Sequence, residues 1–173
     1  MTEQEFEKCY REYLPKVYRY FVSRTGDRTW AEDLTSQTFL RALEKKHQFD
    51  GKNFGGWVFR IGRNILIDEG RKKSHESFPE EMPDIETSEN HKAETNEKFV
   101  FENLEKIFKK LEFSETDKEI FILKIVGDFK FKEIAKITKI PENTIKTKYF
   151  RNLKKVKPHA SDLLSIMLLL KLF

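Results

Sequence analysis

The sequence predicts an all-α protein: two small helical domains joined by a flexible acidic linker. Three observations predict it. Apolar residues recur at helical spacing along most of the 173 residues, and no segment sustains the alternation of a strand. Residues 74–96 break that periodicity with Pro79, Pro83, seven acids, one lysine and little apolar content, the composition of a flexible linker. Charge divides at the same place: residues 1–73 hold 15 Lys/Arg against 11 Asp/Glu, and residues 97–160 hold 16 against 10. The expected organisation is a helical bundle over 1–73, the linker over 74–96, a second helical domain over 97–158 and an apolar tail over 159–173. Each block is near the minimum size for its own core, and 16 phenylalanines supply surface to bury.

Thr2 with Glu5 forms a capping box that opens the first helix. Phe6, Tyr10, Leu14, Val17, Tyr18 and Phe21 follow at helical spacing; Pro15 is expected to kink or divide the helix, and Gly26 to end it. Asp27 or Thr29 caps a second helix whose stripe is Leu34, Thr38 or Phe39, and Leu43, ending near His47. After a turn at Asp50-Gly51-Lys52-Asn53, a third helix runs from about Phe54 to Lys73, with Trp57, Val58, Ile61, Ile65 and Leu66 inward. The second block starts near Glu97 with Phe99, Val100, Leu104, Ile107, Phe108 and Leu111. Ser114, with Asp117 three residues on, caps a helix whose apolar set is Ile120, Phe121, Leu123 and Ile125, closed by Gly127-Asp128. A short helix over Lys132–Ile137 then meets a turn at Thr138-Lys139-Ile140. Pro141 starts a helix from Glu142 to Lys157, which Pro158 stops. The tail segment from Leu163 to Leu170 is too short to span a bilayer; a terminal helix packed on one domain is the favoured reading, a partner-docking or membrane-surface tail the other.

Two helices on a tight turn, the second carrying Lys146, Lys148, Arg151, Lys154, Lys155 and Lys157 against Glu142 alone, form a helix-turn-helix suited to a DNA major groove. The third helix adds a second basic surface. Arg60, Arg63, Asn64 and Arg71 recur near i+3, i+4 and i+7 beside aromatic residues. Rings that stack on bases, guanidinium groups that hold phosphates and an amide that reads a base edge are the means of binding single-stranded DNA. Other chemistries are excluded. Cys9 is the one cysteine, expected half-buried, and the four histidines are in no ligand spacing, so no disulfide framework or metal site is expected. There is no catalytic constellation and no phosphate loop, so neither an enzyme, nor a cofactor, nor a small-molecule substrate is expected. The polar, acidic start lacks a signal peptide's pattern, which points to a cytoplasmic, reducing compartment.

The third helix resembles the W-x-x-x-I-A-R-N-x-x-x-D-x-x-R-R segment of the small extracytoplasmic-function sigma factors of RNA polymerase, in the sigma-70 family. Trp30 to Ala42 is similar to the D-A-E-D-L-x-Q-x-x-F-L-x-A signature of their region 2. Glu133-Ile134-Ala135, with Ile140 to Lys148 and Arg151, is similar to the E-I-A and I-P-x-G-T-V-K-S-R-x-x-R pattern of their region 4. The resemblance covers nearly everything from Tyr10 to Lys157. It implies a region 2 helical bundle, a region 4 helix-turn-helix and a protein that directs bacterial core polymerase to promoters, contacting its beta-prime and beta subunits.

The resemblance also implies residue roles. Glu32, Asp33 and Gln37 would face the beta-prime coiled coil, although a solvated face is an equal reading for Glu32. Arg60, Arg63 and Asn64 would engage the opened −10 strand, and Arg71, Lys72 and Lys73 the upstream duplex phosphates. Lys146, Thr147, Phe150 and Arg151 would approach −35 bases; Thr144, Lys148, Lys154 and Lys155 would set register through phosphates. Trp57 reads as core before base wedge. Phe150 reads equally as buried against Ile134 and Ile137 or as a groove contact. An anti-sigma factor is a further expected partner.

Four positions depart from the pattern. Lys139 replaces a turn glycine, Lys130 a Ser/Thr cap, Asn143 the glycine before Thr144, and Gly62 an alanine, suggesting a looser third helix. The alternative function is a helix-turn-helix regulator acting without polymerase, which would need a dimer to read a palindrome.

Overall fold

The structure is a computed structural model that describes residues 1–75 and 105–159. Helix α1 (Glu3–Thr25) opens with the expected box: the Glu5 N–H donates to Thr2 Oγ1 at 3.2 Å, and the Thr2 N–H donates to Glu5 Oε2 at 2.8 Å. Gly26 ends it in the left-handed conformation at φ 67°. Pro15 does not divide this helix. The missing N–H is tolerated because the same core pins both halves: Phe6 packs edge-on to Phe54 at 5.8 Å, and Tyr20 meets Phe59 at 5.4 Å.

Asp27, not Thr29, caps α2 (Arg28–Glu44), accepting from the Trp30 N–H at 2.9 Å. The buried stripe of α2 is Ala31, Leu34, Thr35, Thr38, Phe39 and Ala42. Leu43, expected within it, is 42% exposed, because the stripe continues in phase from Thr38 to Ala42. The Thr35 and Thr38 hydroxyls each donate at 2.6 Å to a carbonyl one turn back, so their burial leaves no orphan.

Helix α3 (Phe54–His75) lies across α1 and α2. Val58 and Ile65 are fully buried as expected, whereas Trp57, Ile61 and Leu66 are only partly so. Phe59 takes the central place. Gly62 marks a close helix approach rather than slack: an added Cβ would stand 2.9 Å from the Phe21 ring and 3.1 Å from Thr38 Oγ1.

In the second block, α4 (residues 105–110) leads to α5 (Glu115–Ile125), α6 (Phe131–Thr138) and α7 (Glu142–Val156). Ser114 and Asp117 form the α5 capping box. Phe108, Phe113 and Phe121 build an aromatic core with centroids 5.0–6.1 Å apart. Lys130 supplies no side-chain cap, but its N–H donates to Glu133 Oε2 at 2.8 Å, so half of the box survives. Pro141 occupies the N-cap of α7, which starts at Glu142 as expected, and its carbonyl accepts from the Ile145 N–H at 3.1 Å. The linker, Phe99, Val100, Leu104 and the apolar tail lie outside the described residues.

The two blocks touch. Helix α3 packs on α6, and α1 on α5. Phe59 meets Phe129 edge-on at 4.7 Å, and Asn53 Nδ2 donates to Glu133 Oε1 at 2.8 Å. Among the described residues there is no strand, and no helix is long and apolar enough to cross a membrane.

Lys139 adopts φ 61° at the α6–α7 turn, where the side chain is sterically penalised. Lys139→Gly is expected to raise stability by about 1 kcal/mol. The check is the denaturant midpoint, which should rise at constant slope.

Candidate nucleic-acid interface

Helical geometry divides the basic residues of α3. At 3.6 residues per turn, Arg60, Asn64 and Arg71 fall within about 40° of one another, and Arg63 about 60° to the other side. The first three are exposed. Arg63 turns into the seam between the blocks, its Nε donating to Glu119 Oε1 at 2.7 Å and its Nη2 to Glu119 Oε2 at 3.2 Å. The four side chains therefore do not form one open face. The side chains of Lys72 and Lys73 lie outside the described residues. Trp57 packs on Phe49 at 5.2 Å and on Phe54 at 5.6 Å, which favours a packing role. Its remaining edge lines a cleft of about 200 Å³ with Arg60 and Lys136.

Glu119 is 8% exposed and also lies 3.4 Å from the Tyr20 hydroxyl, which donates to it. Burial, with the Glu119 charge beside it, pushes the Tyr20 phenol far above its ordinary range, so the hydroxyl remains a donor. Arg24 Nη2 donates to Glu115 Oε2 at 3.2 Å and adds a second ion pair to the seam.

On α7 the buried face is Ile145, Asn152 and Val156, within about 40° of arc. Phe150 stands about 140° from Ile145 and is 52% exposed, touching the rings of Phe131 and Tyr149. It is not buried against Ile134 and Ile137. Thr144, Thr147, Arg151, Lys154 and Lys155 are also exposed. Lys146 pairs with Glu142 at 2.7 Å, the Thr147 hydroxyl donates to the Asn143 carbonyl at 2.9 Å, and Lys155 donates to the Leu111 carbonyl at 3.0 Å. Lys148 and Arg151 converge on Asp117 at 3.2 and 3.4 Å.

Burial would raise the Asp117 carboxyl, but hydrogen bonds from Ser114, Lys148 and Asn152 outweigh it and hold the group below the usual carboxylate range. Asp117 thus caps α5 and orients two basic side chains of α7.

Glu32, Asp33 and Gln37 stand exposed on α2. Beside them are Leu40, 61% exposed, and Leu43. Sequence reasoning missed these two leucines as surface residues, although Leu40 falls outside the Leu34–Thr38–Ala42 stripe. It also missed Glu119, whose signal was a carboxylate in phase with buried Leu123 one turn on.

These features define a class: an all-helical protein with two distinct basic helices, one of them in a helix-turn-helix. Comparison with known proteins narrows it. The family model for Sigma-70 region 2 matches residues 9–76, and that for Sigma-70, region 4, matches residues 112–156. The extracytoplasmic-function (ECF) RNA polymerase sigma factor SigX of Bacillus subtilis is 25% identical over 165 residues, covering 91% of this chain and 84% of SigX. The ECF sigma factor BldN of Streptomyces coelicolor is 46% identical over 65 residues, which span 36% of this chain and only 25% of BldN. The sigma factor RpoE, in a co-crystal with the anti-sigma factor NepR from Bartonella quintana, shares the fold at a TM-score of 0.65 and 23% identity, covering 90% of this chain and 96% of RpoE. The chain belongs to the sigma-70 family, in its extracytoplasmic-function group, whose members are non-enzymatic transcription initiation factors.

Because the folded Asp117 carboxyl titrates below its unfolded value, its contribution to stability is complete above the unfolded pKa and is lost as pH falls through the folded one. Stability should therefore fall on acidification below about pH 4. Asp117→Asn should flatten that fall, as read by urea denaturation across the range.

Proposed function

We propose that this chain binds bacterial RNA polymerase core, directs it to promoters with −10 and −35 elements, and helps open the −10 region. The supporting observation is the coexistence of three separate exposed faces on one chain. Helix α2 presents Glu32, Asp33 and Gln37 beside two open leucines. This mixed acidic and apolar face suits a protein partner better than DNA. In this reading it docks on the beta-prime coiled coil, with Leu40 as its apolar anchor, while the second block meets the beta subunit.

Arg60 and Asn64 hold the melted −10 strand, joined by Arg63 once it is released from Glu119. Arg71, Lys72 and Lys73 hold the duplex upstream. Helix α7 enters the −35 major groove with Lys146, Thr147, Phe150 and Arg151 towards bases; Thr144, Lys148, Lys154 and Lys155 hold phosphates. Phosphate contacts supply affinity and salt dependence, and the base contacts supply selection. The functional divisions are those of the charge pattern: 1–73, 74–96, 97–158 and 159–173. The working compartment is the cytoplasm, and an anti-sigma protein is the expected regulator.

The direct test is run-off transcription with bacterial core polymerase on promoters of the source genome. A discrete transcript that requires this chain, and that is lost in Asp33→Ala/Gln37→Ala and in Asn64→Ala, is the expected outcome. Tight binding to a duplex site with no complex on core would instead identify a free-standing regulator. Leu40→Asp should weaken core binding about tenfold while changing stability by less than about 0.5 kcal/mol, measured by core pull-down and thermal denaturation.

A further inference from the structure

Helix α5 carries two acids that reach in nearly opposite directions. Asp117 and Glu119 are two residues apart, about 200° around the helix. Asp117 takes Lys148 and Arg151 of α7; Glu119 takes Arg63 of α3. One helix thus holds cations from both reading helices. A carboxylate paired with such a cation can compete with a DNA phosphate, because guanidinium forks bind both groups by the same two-pronged geometry.

The Glu119 contact crosses between the blocks. The −10 and −35 elements, as their names place them, are centred about 25 base pairs apart, or about 85 Å of B-form DNA. Two blocks in direct contact through Phe59–Phe129, Arg63–Glu119 and Asn53–Glu133 cannot span that distance. Residues 76–104, fully extended, reach at most roughly 100 Å, so the covalent connection permits the separation that the seam forbids. The seam is also incompletely filled: a cleft of about 350 Å³ lies among Arg24, Trp30, Leu66 and Glu115. The contact combines these polar pairs with apolar packing, since Phe59 and Phe129 are both buried within one continuous core.

We propose that Glu119 is an internal competitor for promoter DNA: its carboxylate occupies Arg63 and latches the two blocks together, so that the free chain cannot present both reading helices until the pair is broken. Arg63 is then shared between two states. Closed, it binds Glu119 under the Tyr20 hydroxyl; open, it joins Arg60 and Asn64 on the melted strand. This rests on the −10 role given to Arg63 above. Asp117, within the second block, keeps Lys148 and Arg151 aligned in both states.

The latch is tested first without DNA. Spin labels at Glu44→Cys and Lys109→Cys, in a Cys9→Ser background, report the distance between the blocks by pulsed dipolar spectroscopy. Glu119→Arg should lengthen and broaden the distribution, and the charge swap Arg63→Glu/Glu119→Arg should restore it, which also shows that the variants fold. An unchanged distribution in Glu119→Arg overturns the latch. Second, the free protein is titrated with a fluorescein-labelled single-stranded 20-mer pool of random sequence. Glu119→Gln should tighten binding about tenfold, and Arg63→Ala/Glu119→Gln should lose that gain. Opening without tighter binding, or a gain that survives loss of Arg63, overturns the competition. Run-off transcription by Arg63→Ala with core polymerase then locates the fault. Full activity removes the −10 role of Arg63; lost activity keeps that role and removes only the competition by Glu119.

Discussion

Glu119 is a carboxylate that folding takes out of water, and the arrangement of the two blocks depends on how it is paired. An unpaired buried charge costs several kcal/mol, so α5 can sit against α1 and α3 only where a cation and a hydroxyl await it. Arg63 and Tyr20 supply both. Breaking the pair while the blocks remain closed would strand both charges. Separating the blocks returns them to water or to another anion. The pair is reinforced by the buried Phe59–Phe129 contact across the same seam.

The same angular arithmetic distributes function along each helix. On α2 one face packs on α1 and α3 through Leu34, Thr38 and Ala42, leaving Asp33, Gln37 and Leu40 outward. On α3, Phe59 and Ile65 face the core, Arg60 and Asn64 face solvent, and Arg63 falls between them in the seam. On α7, Ile145, Asn152 and Val156 anchor the helix, which is why Phe150 cannot also be buried. Each helix presents one face to the core, and its remaining arc is available for partners.

Local signals in the chain proved readable where the physics is local. The Thr2–Glu5 and Ser114–Asp117 boxes, the Gly26 stop and the αL turn at Lys139 involve residues within one turn of each other. The errors arise where distant packing decides. Pro15 has the chemistry of a helix breaker, but the core on both sides keeps α1 continuous. Leu43 has the chemistry of a core residue, yet nothing covers its phase. Gly62 is a weak helix former in isolation and a contact point once Phe21 and Thr38 lie over it.

The all-helical class, the two basic blocks and the residue types on each exposed basic face were determined by the amino-acid sequence alone, because they follow from composition, from the 3.6-residue period and from caps that act over one turn. Which basic residues are open and which are held was decided only by tertiary structure. Arg60 and Arg63 are one turn apart and chemically identical; helical phase turns them about 60° apart but does not say which of them is held. What distinguishes them is Glu119, brought to one and not the other by packing between segments 56 positions apart in the chain.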